Sequence, residues 1–169
     1  MSPEQARLSA NNLATTIGKL DSGVVALESA QSHNEAVFLL NMYRSARASL
    51  HQLVVSFTSL AESGVNDEET RANLRRRREM SLLVISELSR AMLGSLEKLH
   101  FARRISQPHS SSASTETIGW GDATRMMGPL LTIASLPSTP PLRREQARIL
   151  LGRMAKELGI TESFSEHVQ

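Results

Sequence analysis

The stretch ARLSANNLATTIGKLDSGVVAL, residues 6–27, decides the fold class of this chain. Its apolar residues recur at alternating spacings of four and three positions, the heptad pattern of a helix that buries one narrow face against other helices. The residues on this face are Ala6, Ala10, Leu13, Ile17, Leu20, Val24 and Leu27. Ser2, Pro3 and Gln5 precede it in the order typical of a capped helix N-terminus. The sequence therefore predicts a first long helix that needs helical partners.

Two further segments continue the same kind of pattern. Residues 32–35, SHNE, form the capping box that opens many helices, and the helix that follows is expected to end at Ser63 and Gly64. Asn66 is expected to cap a third helix, whose first turn carries acids that favour the positive end of the helix dipole. Because the intervening loops are short, residues 1–105 are predicted to form three long antiparallel helices.

The composition changes after these helices. Residues 106–121 are rich in serine without apolar periodicity, which predicts a linker or mobile loop. In residues 122–169, Asp122 is expected to cap a short helix that Pro129 kinks or splits, and Thr139 to cap an amphipathic helix that ends at Gly159. We expect these shorter helices to dock on the first three. The predicted fold is all-α, an antiparallel bundle of three long helices plus shorter C-terminal helices.

The composition excludes several classes of protein. With 40% hydrophobic and 21% charged residues in 169 positions, the chain is expected to fold around a real core. It has no cysteine, which removes disulfides and thiolate sites, and its 4% of aromatic residues suit base stacking poorly. Its apolar runs are too short to cross a bilayer, and no cleavable signal peptide is visible. We therefore expect a soluble protein of the cytoplasm or of an intracellular assembly.

The strongest local charge pattern is a run of arginines in the third helix. Its members are Arg71, Arg75, Arg76, Arg77 and Arg78. Three of them, Arg71, Arg75 and Arg78, are spaced to share one helix face. They form either a phosphate-binding stripe for nucleic acid or an acidic partner, or a solvated surface balanced by nearby acids, and the sequence leaves both interpretations open.

The second helix carries two apolar rows, which together make a face wide enough for neighbours on two sides. Leu39, Ala46 and Leu53 belong to one row, and this row is the first candidate for a partner-binding surface. Arg47 falls on the other row, where it is either buried against a partner group or laid along the surface with its head in water. Trp120, between two glycines, is either an anchor for a partner or a plug for the end of the bundle.

No residue pattern in the chain predicts a catalytic, cofactor-binding or metal site. The five histidines never fall four positions apart, and no phosphate-binding glycine loop or nucleophile motif is present. We therefore expect a non-enzymatic helical interaction module, such as an assembly subunit or a chaperone-like adaptor, that binds another protein or a second copy of itself. The alternative is a nucleic-acid-binding protein that uses Arg71 and Arg75–Arg78.

Overall fold

The computed structural model describes residues 1–28, 34–98 and 120–159, and within these ranges it contains five helices and no strand. Three helices are long, α1 (Pro3–Glu28), α2 (Asn34–Glu62) and α3 (Glu68–Lys98), with 26, 29 and 31 residues. Two are shorter, α4 (Trp120–Ser135) and α5 (Pro141–Glu157), with 16 and 17 residues. The predicted all-α class, with three long helices and shorter C-terminal ones, is confirmed.

The central element is α2, which packs against α1, α3 and α4. Along the α2–α3 contact, residue numbers fall on one helix as they rise on the other. Glu62 meets Arg78, His51 lies 3.2 Å from Ser81, and Asn41 accepts a hydrogen bond from Ser95 at 2.9 Å. Between α1 and α3, in contrast, the described residues make no backbone contact, so these two helices flank α2.

The heptad face of α1 is turned inward as its spacing predicts. Ala6, Ala10 and Ile17 are buried and Leu13 is half-buried, whereas the side chains of Leu20, Val24 and Leu27 lie outside the described part of the structure. Ala6 joins Ala61 of α2 and Leu74 of α3 in a small apolar cluster. Alanine at these positions lets the helix backbones approach closely, because little side-chain volume separates them.

The larger core joins the C-terminal helices to the long ones. Its buried residues, from α2 to α5, are Phe38, Ala48, Leu88, Met92, Leu93, Leu96, Ala123, Met126, Leu130, Ile133, Ala147, Leu151 and Met154. Burial of each Leu, Ile, Met or Phe contributes about 1.5–3 kcal/mol, so this cluster is a main source of stability. The C-terminal helices therefore share their core with α2 and α3.

Several helix ends agree with the sequence. The Ser2 hydroxyl accepts a hydrogen bond from the Gln5 backbone N–H at 3.2 Å, and the Gln5 side chain accepts one from the Ser2 N–H at 2.9 Å, which completes the predicted capping box. The second helix ends at Glu62, directly before Ser63 and Gly64. Gly159, with a φ of 71°, follows α5 in the left-handed conformation that favours glycine.

Two predicted caps were wrong. Asp67, not Asn66, caps α3, because its Oδ2 accepts a hydrogen bond from the Thr70 backbone N–H at 2.8 Å. Hydrogen bonds from the side chain and backbone of Thr70 hold the pKa of Asp67 below its usual value. Thr139 does not cap α5, where Pro140 occupies the cap position. The Thr139 hydroxyl is buried without a hydrogen-bond partner among the described residues.

The start of α4 also differs from the prediction. The helix begins at Trp120, two residues before Asp122 and inside the predicted linker. Pro129 lies within α4 without splitting it, and its ring is buried. The capping box at Ser32, residues 106–119 of the linker and the segment after Gly159 lie outside the described residues.

Candidate functional site

The outer side of α2 presents a continuous exposed row that we call the α2 stripe. Its members are Leu39, Met42, Ala46, Ser49, Leu53, Ser56 and Leu60, all exposed. They recur at alternating spacings of three and four, so they lie on one side of the helix along about 32 Å, at 1.5 Å per residue. Leu39 is 54% exposed and Leu53 is 45% exposed. The predicted partner-binding residues Leu39, Ala46 and Leu53 therefore lie together on one solvent-facing row.

The α2 stripe carries no charge. Between residues 36 and 61 the charged residues are Arg44 and Arg47, and both are half-buried on the bundle side of α2. Positions 47, 51 and 54 are spaced to share that inner side, where Val54 is buried and His51 half-buried. Arg47 therefore lies on the side of α2 opposite the stripe.

Three arginines of the α3 run are bound at the junction of α2 and α3. The Nε atom of Arg75 and a terminal nitrogen of Arg78 each lie 2.6 Å from Glu62, one on either carboxylate oxygen. Arg71 pairs with Glu68 at 2.7 Å and also donates to the Val65 carbonyl at 2.6 Å. Arg71, Arg75 and Arg78 therefore meet at this junction, but acids and a backbone carbonyl already bind all three.

This ion-pair cluster shifts the pKa values of Glu62 and Arg75. The hydrogen bond from Arg75, together with the charges of Arg75 and Arg78, holds the pKa of the Glu62 carboxyl below its usual value of 4.5, although partial burial opposes this shift. The same hydrogen bond raises the pKa of Arg75. The cluster thus stabilises the turn between α2 and α3 in its charged form.

The other two arginines of the run, Arg76 and Arg77, donate hydrogen bonds to asparagine side chains, one on α3 and one on α1. Arg77 donates a hydrogen bond to the Asn11 side chain of α1, and Arg76 donates one to Asn73 at 3.1 Å. Together with Arg7 of α1, they form no ion pair with any acid in the described part of the chain. The structure therefore divides the arginine run into a paired group and an unpaired group.

These unpaired arginines line a groove between α1 and α3 that we call the α1–α3 groove. One half, of 450 Å³, is lined by Arg7, Leu8, Asn11, Thr70, Asn73, Leu74, Arg76 and Arg77. The adjoining half, of 430 Å³, shares Arg76 and Arg77. Its walls are mostly apolar, from Ala14, Ile17, Val54, Met80 and Leu83, with His51, Ser81 and Glu79 beside them. The groove thus has a basic half and an apolar half.

Sequence reasoning missed the buried amide of Asn41. Its side chain is fully buried in α2, and its oxygen accepts hydrogen bonds from Ser95 of α3 at 2.9 Å and from Arg44 at 3.1 Å. Its amide nitrogen has no partner among the described residues. The sequence gives no clear signal for it, because Asn41 follows Leu40 in the chain but belongs to neither of the two apolar rows of α2. A buried polar contact of this kind favours one register of α2 against α3.

The remaining predicted site residue, Trp120, is the first residue of α4, and its side chain lies outside the described part. Among the described residues, no group of three or more His, Asp or Glu side chains is placed to hold a metal ion. None of the described helices combines the length and apolarity needed to cross a membrane.

Comparison of the chain with protein families, with curated proteins and with solved structures finds no match.

Proposed function

We propose that this protein is a non-enzymatic helical interaction module, an assembly subunit that pairs with a second copy of itself through the α2 stripe. The observation that carries this proposal is the charge-free, exposed heptad row from Leu39 to Leu60. Coiled-coil helices bury such a row against a partner helix. Leu, Met and Ala on the stripe gain stability from burial, since each apolar side chain contributes in proportion to the area removed from water.

A second copy is the occupant that the chemistry of the stripe favours. In heterotypic coiled coils, charges beside the seam select the partner and exclude the helix itself. The positions beside this seam carry no charge, and they are Phe38, Tyr43, Ser45, Leu50, Gln52, Phe57 and Ser59. Nothing in the stripe therefore repels an identical stripe across a two-fold axis.

Side-chain sizes on the stripe support close pairing. Ala46, Ser49 and Ser56 are small, whereas Leu39, Met42, Leu53 and Leu60 are large. In a paired arrangement, large side chains insert into the spaces left by small ones on the facing helix, and the serine hydroxyls retain hydrogen bonds to their own helix. Ser49 donates to the Ser45 carbonyl at 3.0 Å and Ser56 to the Gln52 carbonyl at 3.1 Å. The serines therefore bring no unsatisfied donor into the interface.

The test is the molecular mass in solution, measured by sedimentation equilibrium over a range of protein concentrations. We expect a dimer for the native protein and a monomer for the double variant Leu39→Glu/Leu53→Glu, because two carboxylates per chain would have to lose water at the interface. The control is Leu142→Glu, which introduces a single glutamate at a 72% exposed leucine of α5 and should leave the dimer intact. A native protein that is monomeric at every concentration, or a double variant that still dimerises, contradicts the proposal.

Nucleic-acid binding through Arg71 and Arg75–Arg78 stays a prediction, and the ion pairs of Arg71, Arg75 and Arg78 favour the interaction module over it. Phosphates would have to displace Glu62 and Glu68 from these arginines. Retention of the protein on DNA that falls steeply with salt would instead support nucleic-acid binding.

A further inference from the structure

We propose that the α1–α3 groove binds an amphipathic helix of a partner protein, with apolar residues along the helix and acidic residues at its C-terminal end. This surface is separate from the α2 stripe, so the inference goes beyond the proposed self-association. With both surfaces in use, the protein would link a dimer of itself to a second kind of protein.

The shape of the groove fits a helix. Because α1 and α3 flank α2 without backbone contact to each other, the space above the inner side of α2 is the position that a fourth helix takes in a four-helix bundle. Met80 and Leu83, on the α3 side of the apolar half, are each 61% exposed. A helix lying there would cover both side chains together with the exposed Ala14, which is the helix-in-groove mode of recognition.

The charge at the basic half specifies the chemistry of the partner. Arg7, Arg76 and Arg77 are exposed, and the partners of Arg76 and Arg77 are amide oxygens rather than carboxylates. Carboxylates accept stronger hydrogen bonds from guanidinium groups than amides do, and they accept them in pairs. The arginines would therefore exchange their amide contacts for the acids of a bound helix, while Arg71, Arg75 and Arg78 keep Glu62 and Glu68.

The position of the basic half indicates which way the bound helix runs relative to α1 and α3. Its lining comes from the early turns of α1 and α3, from Arg7 to Asn11 and from Thr70 to Arg77, and the apolar half lies further along both helices. A helix that runs opposite to α1 and α3 places its C-terminal end over the arginines. The negative end of its dipole then adds to the attraction of its acidic side chains.

The experiment is titration of a fluorescein-labelled synthetic helical peptide, followed by fluorescence anisotropy with the full chain. The peptide carries leucines at heptad spacing and glutamates in its last turn. We expect saturable binding that weakens about 3- to 10-fold in the variant Arg7→Gln/Arg76→Gln, because an exposed ion pair contributes modestly. A peptide with glutamine in place of glutamate should bind the native protein about as weakly. The control is Arg90→Gln, an exposed α3 arginine paired with Glu87 outside the groove.

Met80→Gln/Leu83→Gln tests the apolar half and should also weaken peptide binding, with circular dichroism confirming that each variant is folded.

Equal affinity for the glutamate and glutamine peptides, or an unchanged affinity in Arg7→Gln/Arg76→Gln, overturns the proposal. Failure of the peptide to bind, while anionic phospholipid vesicles bind in a manner that needs Arg7 and Arg76, would assign the groove to a lipid surface and also overturn it. Leu39→Glu/Leu53→Glu should leave peptide binding unchanged, so failure of self-association and failure of groove binding are distinguishable.

Discussion

Glu62 is the residue on which the end of α2 and the first turns of α3 converge. Its side chain is only 18% exposed, and each of its two carboxylate oxygens binds one arginine of the next helix, Arg75 or Arg78. A carboxylate held by two guanidinium groups links the end of α2 to the first turns of α3 through charge. The ion pairs therefore join the two helices beside the smaller apolar cluster, which has only three buried residues, Ala6, Ala61 and Leu74, among those described.

The stabilising effect of Glu62 should depend on pH. Because its pKa in the folded protein lies below the usual value of 4.5, its contribution is present above that value and is lost as the pH falls through the lowered folded pKa. We expect Glu62→Gln to be less stable than the native protein at neutral pH and equally stable once Glu62 is protonated. Chemical denaturation at a series of pH values measures the difference.

The control for this prediction is Glu87→Gln, since Glu87 pairs with a single arginine on its own helix and both side chains are largely exposed. We expect it to change stability little at any pH. If Glu62→Gln matched the native protein at neutral pH as well, the two arginine contacts would contribute nothing to the folded state.

At the scale of the elements, the start of α1 is packed against the turn between α2 and α3. A Cβ atom added to Gly64 would lie 2.5 Å from the Cβ of Pro3, closer than real side chains approach. Gly64 is therefore required for close approach, and its backbone is not in the left-handed region. This contact positions the first turn of α1, including its Ser2–Gln5 capping box, on the other two helices.

Replacement of this glycine should consequently weaken the fold. We expect Gly64→Ala to destabilise the protein by about 1–3 kcal/mol in urea denaturation, because the proline ring cannot move aside as a flexible side chain would. Gly152→Ala is the matched control, since a Cβ there meets nothing within 4 Å and α5 is helical at that point. It should stabilise the protein by about 0.5–1 kcal/mol through helix propensity. A Gly64→Ala variant as stable as Gly152→Ala would show that α1 does not need this contact.

At the scale of the whole molecule, the larger core packs α4 and α5 against α2 and α3, so we expect these four helices to unfold together. Arg143 of α5 adds hydrogen bonds between the helices, because it donates to the hydroxyls of Ser86 at 2.8 Å and Ser89 at 3.2 Å on α3. The backbone N–H of Ser138, before α5, donates to Gln52 of α2 at 3.1 Å. Apolar and polar contacts thus join the C-terminal helices to the long ones.

A single substitution in α4 should therefore affect unfolding of the whole molecule. We expect Leu130→Ala, at a fully buried position, to cost about 2–5 kcal/mol, and Leu131→Ala, at a 40% exposed neighbour, to cost less than about 1 kcal/mol. Circular dichroism follows all helices, while fluorescence of Trp120, the only tryptophan, follows α4. Both signals should shift together in Leu130→Ala. If the fluorescence transition moved alone, α4 and α5 would unfold as a separate unit.

Local patterns were sufficient to predict much of the fold. The heptad row of α1, the Ser2–Gln5 capping box and the glycine that ends α5 depend on residues within a few positions of each other, so spacing alone predicts them. The cap at Asn66 was wrong because the neighbouring Asp67 can serve equally well, and it is Asp67 that accepts the hydrogen bond. The cap at Thr139 was wrong because α5 begins one residue later, with Pro140 at the cap position and no side-chain cap. Pro129 was expected to kink or split α4, but the helix continues through it and the proline ring is buried.

The sequence by itself determined that this chain forms amphipathic helices, where most of them begin and end, and that Leu39, Ala46 and Leu53 share one row. Only the tertiary structure decided that this row faces solvent, that Glu62 occupies Arg75 and Arg78, and that Arg76 and Arg77 join Arg7 beside a groove. The physical reason is that periodicity specifies which residues share a helix face. Which face meets a neighbour, and which charges meet across helices, depends on how the helices pack.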